Sequence, residues 1–234
     1  MRRDRVEAAG SATTGLFGYG YALSRQWKAT VSVSNAFNAA PLGYLYAPFF
    51  GNPGLLPERA RSAEVGVQYA NGASLLRATA FHSRVRNEFE FDFASSRFEN
   101  VARTRNRGVE LAANGEVLGL DWRAGFTAQQ PEDEATGEQR LRRARRYGNV
   151  GVSWPVGAWE LGADVRASAS RPDSGNQRLP GYALLDLRGR YRLNEAWQLF
   201  ARAENLTDRV WETVYGYPQS GRSVFVGVQW QPKW

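Results

Sequence analysis

His82 is the single histidine of the chain, and no cysteine accompanies it in 234 residues. A closed metal site built on nitrogen and sulfur ligands therefore has no donors to draw on. Arg84, Arg86, Glu88 and Glu90 follow at every second position, so His82 reads as one member of the polar, lumen-lining face of a strand. As a catalytic base it would need a nucleophile and an orienting group in reach, and the sequence sets neither beside it. No glycine-rich phosphate loop opens a helix. Neither an enzyme nor a metal or other cofactor is expected. Thirty Lys+Arg against 23 Asp+Glu give a net charge of +7, a balance that would suit nucleic acid. The charges alternate along strands and do not cluster, however, so no nucleic-acid partner is expected. The densest run, Arg140-Leu-Arg-Arg-Ala-Arg-Arg146, reads on its own as a solvated stretch. The segment 37–60, with Tyr44, Tyr46, Phe49 and Phe50, is apolar for an exposed loop; it is either a lid over a ligand or a loop packed on its neighbours, and packing is slightly favoured.

The elements that carry these residues announce themselves by a period of two. Trp159, Leu161, Ala163, Val165 and Ala167 alternate with Glu160, Gly162, Asp164, Arg166 and Ser168. The same pattern holds for Trp27, Ala29, Val31 and Val33 against Lys28, Thr30, Ser32 and Ser34, and for Ala63, Val65, Val67 and Tyr69 against Ser62, Glu64, Gly66 and Gln68. In the stretch 183–193, Asp186, Arg188, Arg190 and Arg192 share one face, which would bury charge in a soluble core; a wet lumen removes that cost. This predicts an all-β, antiparallel transmembrane barrel with about eleven strands of the usual tilted length, near 12–23, 26–36, 61–70, 74–92, 97–115, 119–130, 143–154, 157–170, 181–193, 196–206 and 222–231. Connections alternate between short turns and the long segments 37–60, 131–142, 171–180 and 207–221, as in outer-membrane barrels. Trp27, Trp122, Trp154, Trp159, Trp197 and Trp230 all fall at the short-turn rim, where interfacial aromatics gather. A soluble β-sandwich would not sort its tryptophans to one end. No apolar run is long enough for a spanning helix. No apolar segment follows the basic start Arg2-Arg3-Asp4-Arg5 either, so no signal peptide is visible and the natural N-terminus is expected upstream.

Several stretches resemble TonB-dependent outer-membrane receptors. Phe50-Gly-Asn-Pro-Gly-Leu-Leu-Pro-Glu58 is similar to the family's loop built on Asn-Pro and Leu-x-Pro-Glu. Asn100 with Arg107-Gly-Val-Glu-Leu111 resembles its Gly-Val-Glu strand. Asn205-Leu-Thr-Asp208 stands where the family has Asn-Leu-Phe-Asp, and Gly216-Tyr-Pro218 with Gly221-Arg222 matches its final loop and last strand. The likeness runs from about residue 40 to the end, and the order of the motifs carries it. Glu212-Thr-Val-Tyr-Gly-Tyr217 and Leu141-Arg-Arg-Ala144 look most like the vitamin B12 branch.

The resemblance implies uptake of cobalamin or a related corrinoid across the outer membrane, through a barrel of about 22 strands around a plugged lumen, with energy passed on by TonB. Residues 1–234 would be the C-terminal half of that barrel, without plug domain or signal peptide, and unable to transport alone. A half barrel leaves two strand edges unpaired in lipid. Arg142 and Tyr217 occupy positions similar to cobalamin-contacting residues, where a guanidinium meets a phosphate or amide edge and a ring packs on a corrin face. Tyr44, Tyr46, Phe49 and Phe50 are weaker ligand-loop candidates. Trp230 and Trp234 resemble the C-terminal aromatic signal read by the barrel assembly machinery, although the family commonly ends in Phe and Pro232 breaks the alternation here. Membrane lipid, TonB through a missing plug, the assembly machinery and a corrinoid or ferric chelate are the implied partners. A siderophore receptor and a plugless pore remain the alternatives.

Overall fold

The computed structural model describes residues 1–6 and 10–232, apart from the side chains at 6, 10, 101 and 102; Trp234 lies outside the described residues. Its elements in chain order are β1 (Arg2–Val6), β2 (Gly10–Ala22), β3 (Trp27–Asn38), α1 (Leu42–Tyr46), β4 (Glu58–Asn71), β5 (Ser74–Asp92), β6 (Arg97–Val117), β7 (Leu120–Asp133), β8 (Arg146–Val156), β9 (Trp159–Ser168), β10 (Arg171–Pro172), β11 (Arg178–Leu179), β12 (Tyr182–Arg192), β13 (Trp197–Glu204), β14 (Glu212–Val214), β15 (Tyr217–Pro218) and β16 (Ser223–Trp230). Twelve strands pair side by side in the order β1-β2-β3-β4-β5-β6-β7-β8-β9-β12-β13-β16, while β10-β11 and β14-β15 are separate two-stranded pairs. The eleven predicted strands are all present, with bounds shifted by a few residues. The twelfth is β1, which pairs with β2 from Arg2↔Thr14 to Val6↔Gly10. Its Arg-Arg-Asp-Arg core has no apolar alternation to announce it. The strand forms through its backbone pairing, with Arg2 bonded to Asp4 at 2.7 Å along it.

Short turns join neighbouring strands by local side-chain bonds. Asn194 Oδ1 accepts from the amides of Ala196 and Trp197, and Ser24 Oγ accepts from those of Gln26 and Trp27, the Asx and Ser turns that these residue types favour. Between β6 and β7 both Leu118 and Gly119 have positive φ, 52° and 75°, as a tight hairpin turn requires.

The chain divides into two compact units. Unit 1 holds Met1–Val67, Thr79–Val109 and Gln129–Arg140, and unit 2 holds Gln68–Ala78, Glu110–Ala128 and Leu141–Trp234. Within unit 2 the register sets apolar beside apolar. Trp159 pairs with Tyr191, Tyr191 with Leu199 and Leu199 with Val228, and Trp197 pairs with Trp230. The Trp159 and Tyr191 rings stand 4.6 Å apart, and the Trp197 and Trp230 rings 6.0 Å apart. Apart from half-buried Tyr191, these side chains are exposed, which is the surface a bilayer, not water, would cover. The opposite face is ionic. Asp164 bonds both Arg123 and Arg188, Arg166 reaches Asp186 at 3.0 Å, and Gly151 and Gly162 leave room for these guanidiniums. Apolar burial is confined to a few points. Leu179 and Leu184 are enclosed in unit 2, Leu45 and Leu55 in unit 1.

Unit 1 corrects one expectation. The hydroxyls of Ser62 and Ser83 are bonded at 3.0 Å, and Ser62 shares its strand face with Glu64, which accepts from Ser32 across β3–β4. Ser83 is thus on the polar face, and His82, Arg84 and Arg86 stand on the other face of β5, together with Ala78 and Ala80. Asn87, at φ 58°, interrupts the alternation, so Glu88 returns to the polar side and accepts from Thr104 at 2.6 Å. The lumen-lining series of five is therefore split by a bulge.

Candidate functional site

In unit 2, three long connections are drawn together around one carboxylate. Arg142 follows β7 in a left-handed conformation, φ 60°, and its amide donates to Pro172 O at 2.8 Å. Its side-chain Nε donates to Asp173 Oδ1 at 2.7 Å. The Ser174 amide also donates to that oxygen at 2.7 Å, while Asp173 Oδ2 accepts from the Tyr215 amide at 2.7 Å. Asp173 is 2% exposed. Burial works against its charged form, but the amides of Tyr215 and Ser174 and the Arg142 guanidinium outweigh this and hold its carboxyl below the usual aspartate value.

A second arginine ties the same connections. Arg171, 5% exposed, donates from Nη2 to Glu212 O at 2.8 Å and lies 5.7 Å from the Tyr182 ring centre, and Tyr182 in turn packs against Trp211 at 4.8 Å. Its Nη1 is buried without a hydrogen-bond partner among the described residues. Tyr217 begins β15, where it pairs with Val214, and its side chain is 68% exposed. Arg142 and Tyr217 thus sit on loops that share the Asp173 knot. Sequence reasoning passed over Asp173 and Arg171. Both stand in Arg-Pro-Asp-Ser-Gly, which by itself reads as a turn.

The Asn205-Leu-Thr-Asp208 motif forms the base of the last connection. Buried Asn205 accepts from the Arg209 amide and donates to Arg209 O, both at 2.9 Å, and its own amide donates to Asp186 at 2.9 Å. Asp208 Oδ1 accepts from the Arg222 amide at 2.8 Å. The residues that carry the likeness are therefore fasteners for the loop.

In unit 1 the segment 37–60 packs onto the β5–β6 hairpin. Tyr44 stacks on Phe98 at 3.7 Å and meets Phe89 edge-on at 6.1 Å, and Phe50 meets Phe98 at 6.3 Å. Asn52 donates to Phe98 O at 2.9 Å, and Asn100 both accepts from the Leu56 amide and donates to Leu56 O. Glu58 accepts from the Phe89 amide at 2.7 Å. Tyr46 and Phe49 stay exposed. Of the four loop aromatics, Tyr44 and Phe50 make ring contacts with Phe98, and Phe50 is still 42% exposed. Trp230 is exposed at the apolar rim beside Trp197.

A family model described as TonB dependent receptor-like, beta-barrel matches residues 1–206. The vitamin B12 transporter BtuB of Vibrio vulnificus (strain YJ016) is 28% identical over 97% of this chain and 37% of its own length, and that of Vibrio cholerae serotype O1 is 27% identical over 99% of this chain and 39% of its own. The chain therefore spans less than two fifths of these relatives. Among solved structures, the ferric enterobactin receptor PfeA (G324V mutant) of Pseudomonas aeruginosa superposes with a TM-score of 0.82 at 19% identity, covering 97% of this chain and 41% of that one. The copper transporter OprC gives 0.78 at 20% identity, covering 93% and 39%. These structures share the antiparallel fold, and with the match over most of its length this chain belongs to the TonB-dependent receptor-like β-barrel family, a family of receptors and transporters.

Proposed function

We propose that this chain is barrel sequence of a TonB-dependent outer-membrane receptor that takes up cobalamin or a related corrinoid. The alignment with proteins named vitamin B12 transporters carries the reading, because it runs along 97% and 99% of this chain, loops included. Because the chain spans 37% and 39% of their lengths, uptake is proposed for a receptor in which this segment meets a plug domain and TonB. The exposed apolar face with its tryptophan rim supports an outer-membrane location. Trp230 and Trp234 are proposed as the assembly signal.

In this reading Arg142 spends Nε on Asp173 and offers its remaining guanidinium edge to a phosphate or amide. Tyr217 offers an exposed ring to the flat corrin. Of the loop aromatics, Tyr46 and Phe49 keep exposed rings for such a contact, Phe50 is partly exposed beside Phe98, and Tyr44 buttresses the loop. The ferric-chelate alternative shares the fold, and no residue-level observation favours it. The test is cyanocobalamin binding by the full-length protein beside its Arg142→Ala and Tyr217→Ala variants, each expected to bind about tenfold more weakly, a loss of about 1.4 kcal/mol. Binding of an iron chelate with none of cobalamin would move the protein to the siderophore receptors and sink the corrinoid assignment.

A further inference from the structure

Along the apolar face of unit 1, β2, β3 and β4 carry Tyr19, Val31, Val33 and Val65. Towards the long connections the same face turns basic. Arg59 and Arg61 of β4 and His82, Arg84 and Arg86 of β5 stand there, opposite the bonded pair Ser62 and Ser83. Together with Phe17, Val33 and Ala63 they line one open groove of about 940 Å³, and no carboxylate is among its lining residues. Arg61 and Arg86 have no ion-pair partner among the described residues, and Arg59 lies 5.8 Å from the Phe37 ring centre. The row continues on β6 with Arg103, Arg105 and Arg107. Glu132 and Glu134 answer part of it, through Arg105 at 2.7 Å and Arg84 at 3.1 Å. Basic groups still outnumber acids on this face.

The height of the row is as telling as its charge. The Ser32–Glu64 and Asn38–Glu58 bonds fix the register of β3 on β4 and bring Asn35 level with Arg61. From Trp27 to Asn35 there are about eight residue steps of roughly 3.3 Å, and a strand tilt of about 40° turns them into roughly 20 Å of height. The apolar band of a membrane barrel is of the same order, about 25 Å. The arginines therefore stand where hydrocarbon gives way to headgroups.

We propose that this groove docks a phosphorylated membrane lipid, with acyl chain along Phe17, Val33 and Ala63 and phosphate among Arg61, Arg84 and Arg86. The proposal rests on the outer-membrane reading. Like charges on adjacent strands repel, and a phosphate between them removes the repulsion while matching the guanidinium fork. A lipid headgroup is the anion that a bilayer holds at this height. An acidic protein segment has no reason to follow the apolar half of the groove.

The test uses the full-length protein in detergent doped with phosphatidic acid or phosphatidylcholine, with retained lipid read by native mass spectrometry. Phosphatidic acid is expected to be retained in preference, and Arg61→Gln/Arg84→Gln/Arg86→Gln to reduce its retention about tenfold. Arg190→Gln/Arg202→Gln, on the ionic face of unit 2 and outside the groove lining, is expected to leave it unchanged. If the triple variant does not fold, Arg86→Gln alone carries the same expectation at smaller size. Equal retention of the two lipids, or retention unaffected by the arginine variants, overturns the proposal. So does displacement of the lipid by an equal concentration of inorganic phosphate, which marks a simple anion site. Failure of the unsubstituted protein to enter phosphatidylcholine vesicles at all overturns the outer-membrane reading together with it.

Discussion

Replacing Asp173 with Asn separates the shape of the loop knot from its charge. The carboxylate accepts from Arg142 and Ser174 through Oδ1 and from Tyr215 through Oδ2. An asparagine keeps one acceptor oxygen, which satisfies the first pair. Its amide nitrogen then faces the Tyr215 N–H, donor against donor. A buried donor left unsatisfied costs about 1–3 kcal/mol, and bonds to a charged acceptor are worth about 1.5–3 kcal/mol each. The expected loss is about 2 kcal/mol, confined to the β14–β15 hairpin and its seat on residues 171–179. Local opening should then rise about thirtyfold, since each 1.4 kcal/mol is a factor of ten. Hydrogen exchange at Tyr215 and its neighbours, followed by mass spectrometry on the folded receptor, measures this opening. The pH dependence has a definite sign. The folded carboxyl lies below its usual value, so its stabilisation is present above the ordinary aspartate range and is lost as pH falls through the lower folded value. Native Tyr215 should exchange faster in acid than base-catalysed chemistry alone predicts, and the Asn variant should lose that extra dependence. An unchanged Tyr215 exchange rate in the variant would refute the argument that Asp173 holds the hairpin.

Other expectations follow from single contacts. Asn205→Ala removes a 4% exposed side-chain amide that bonds the Arg209 N–H and the Arg209 and Ser220 carbonyls; a loss of about 2–4 kcal/mol should appear as faster proteolysis within 207–221 while the strands keep their protection. Gly51→Ala sets a Cβ 2.7 Å from the backbone of Ala47. Overpacking of this kind costs about 1–3 kcal/mol, and limited proteolysis should open residues 42–56 first. Tyr44→Ala, which removes the stack on Phe98, should loosen the same segment and lower a fluorescence-monitored unfolding midpoint; an unaltered midpoint would show that the hydrogen bonds of Asn52 and Asn100 hold the loop without the ring.

The strands were legible because alternation survives wherever one face meets an apolar medium and the other a polar one. Trp159 to Ala167 and Trp27 to Val33 are such stretches. The period lost its meaning at His82, Arg84 and Arg86. Beyond the apolar band both faces of β5 are polar, so residue type no longer says which face a side chain occupies, and only the Ser62–Ser83 bond decides it. The small hairpins β10–β11 and β14–β15 were hidden for a related reason. Two or three paired residues give no period to read. Arg142 and Tyr217 came from resemblance, whereas their shared support, Asp173, had no marker in a turn-like Pro-Asp-Ser-Gly. The Asn-Pro and Leu-x-Pro-Glu residues were visible as a motif, but their work became clear only when Asn52, Asn100 and Glu58 were seen fastening one loop to one hairpin.

The separation of apolar and ionic residues onto opposite faces exists only while the strands are paired. Pulled out as a thread, the same polymer brings a charge or hydroxyl beside twelve of its eighteen valines, and its mean hydropathy is −0.49. No continuous greasy segment marks it for capture by machinery that recognises spanning helices. An extended chain of this kind can be drawn through one bilayer as an ordinary hydrophilic string and acquire its affinity for the next only as hydrogen bonding sorts its side chains. Solubility in transit and insolubility on arrival are then two states of one residue order.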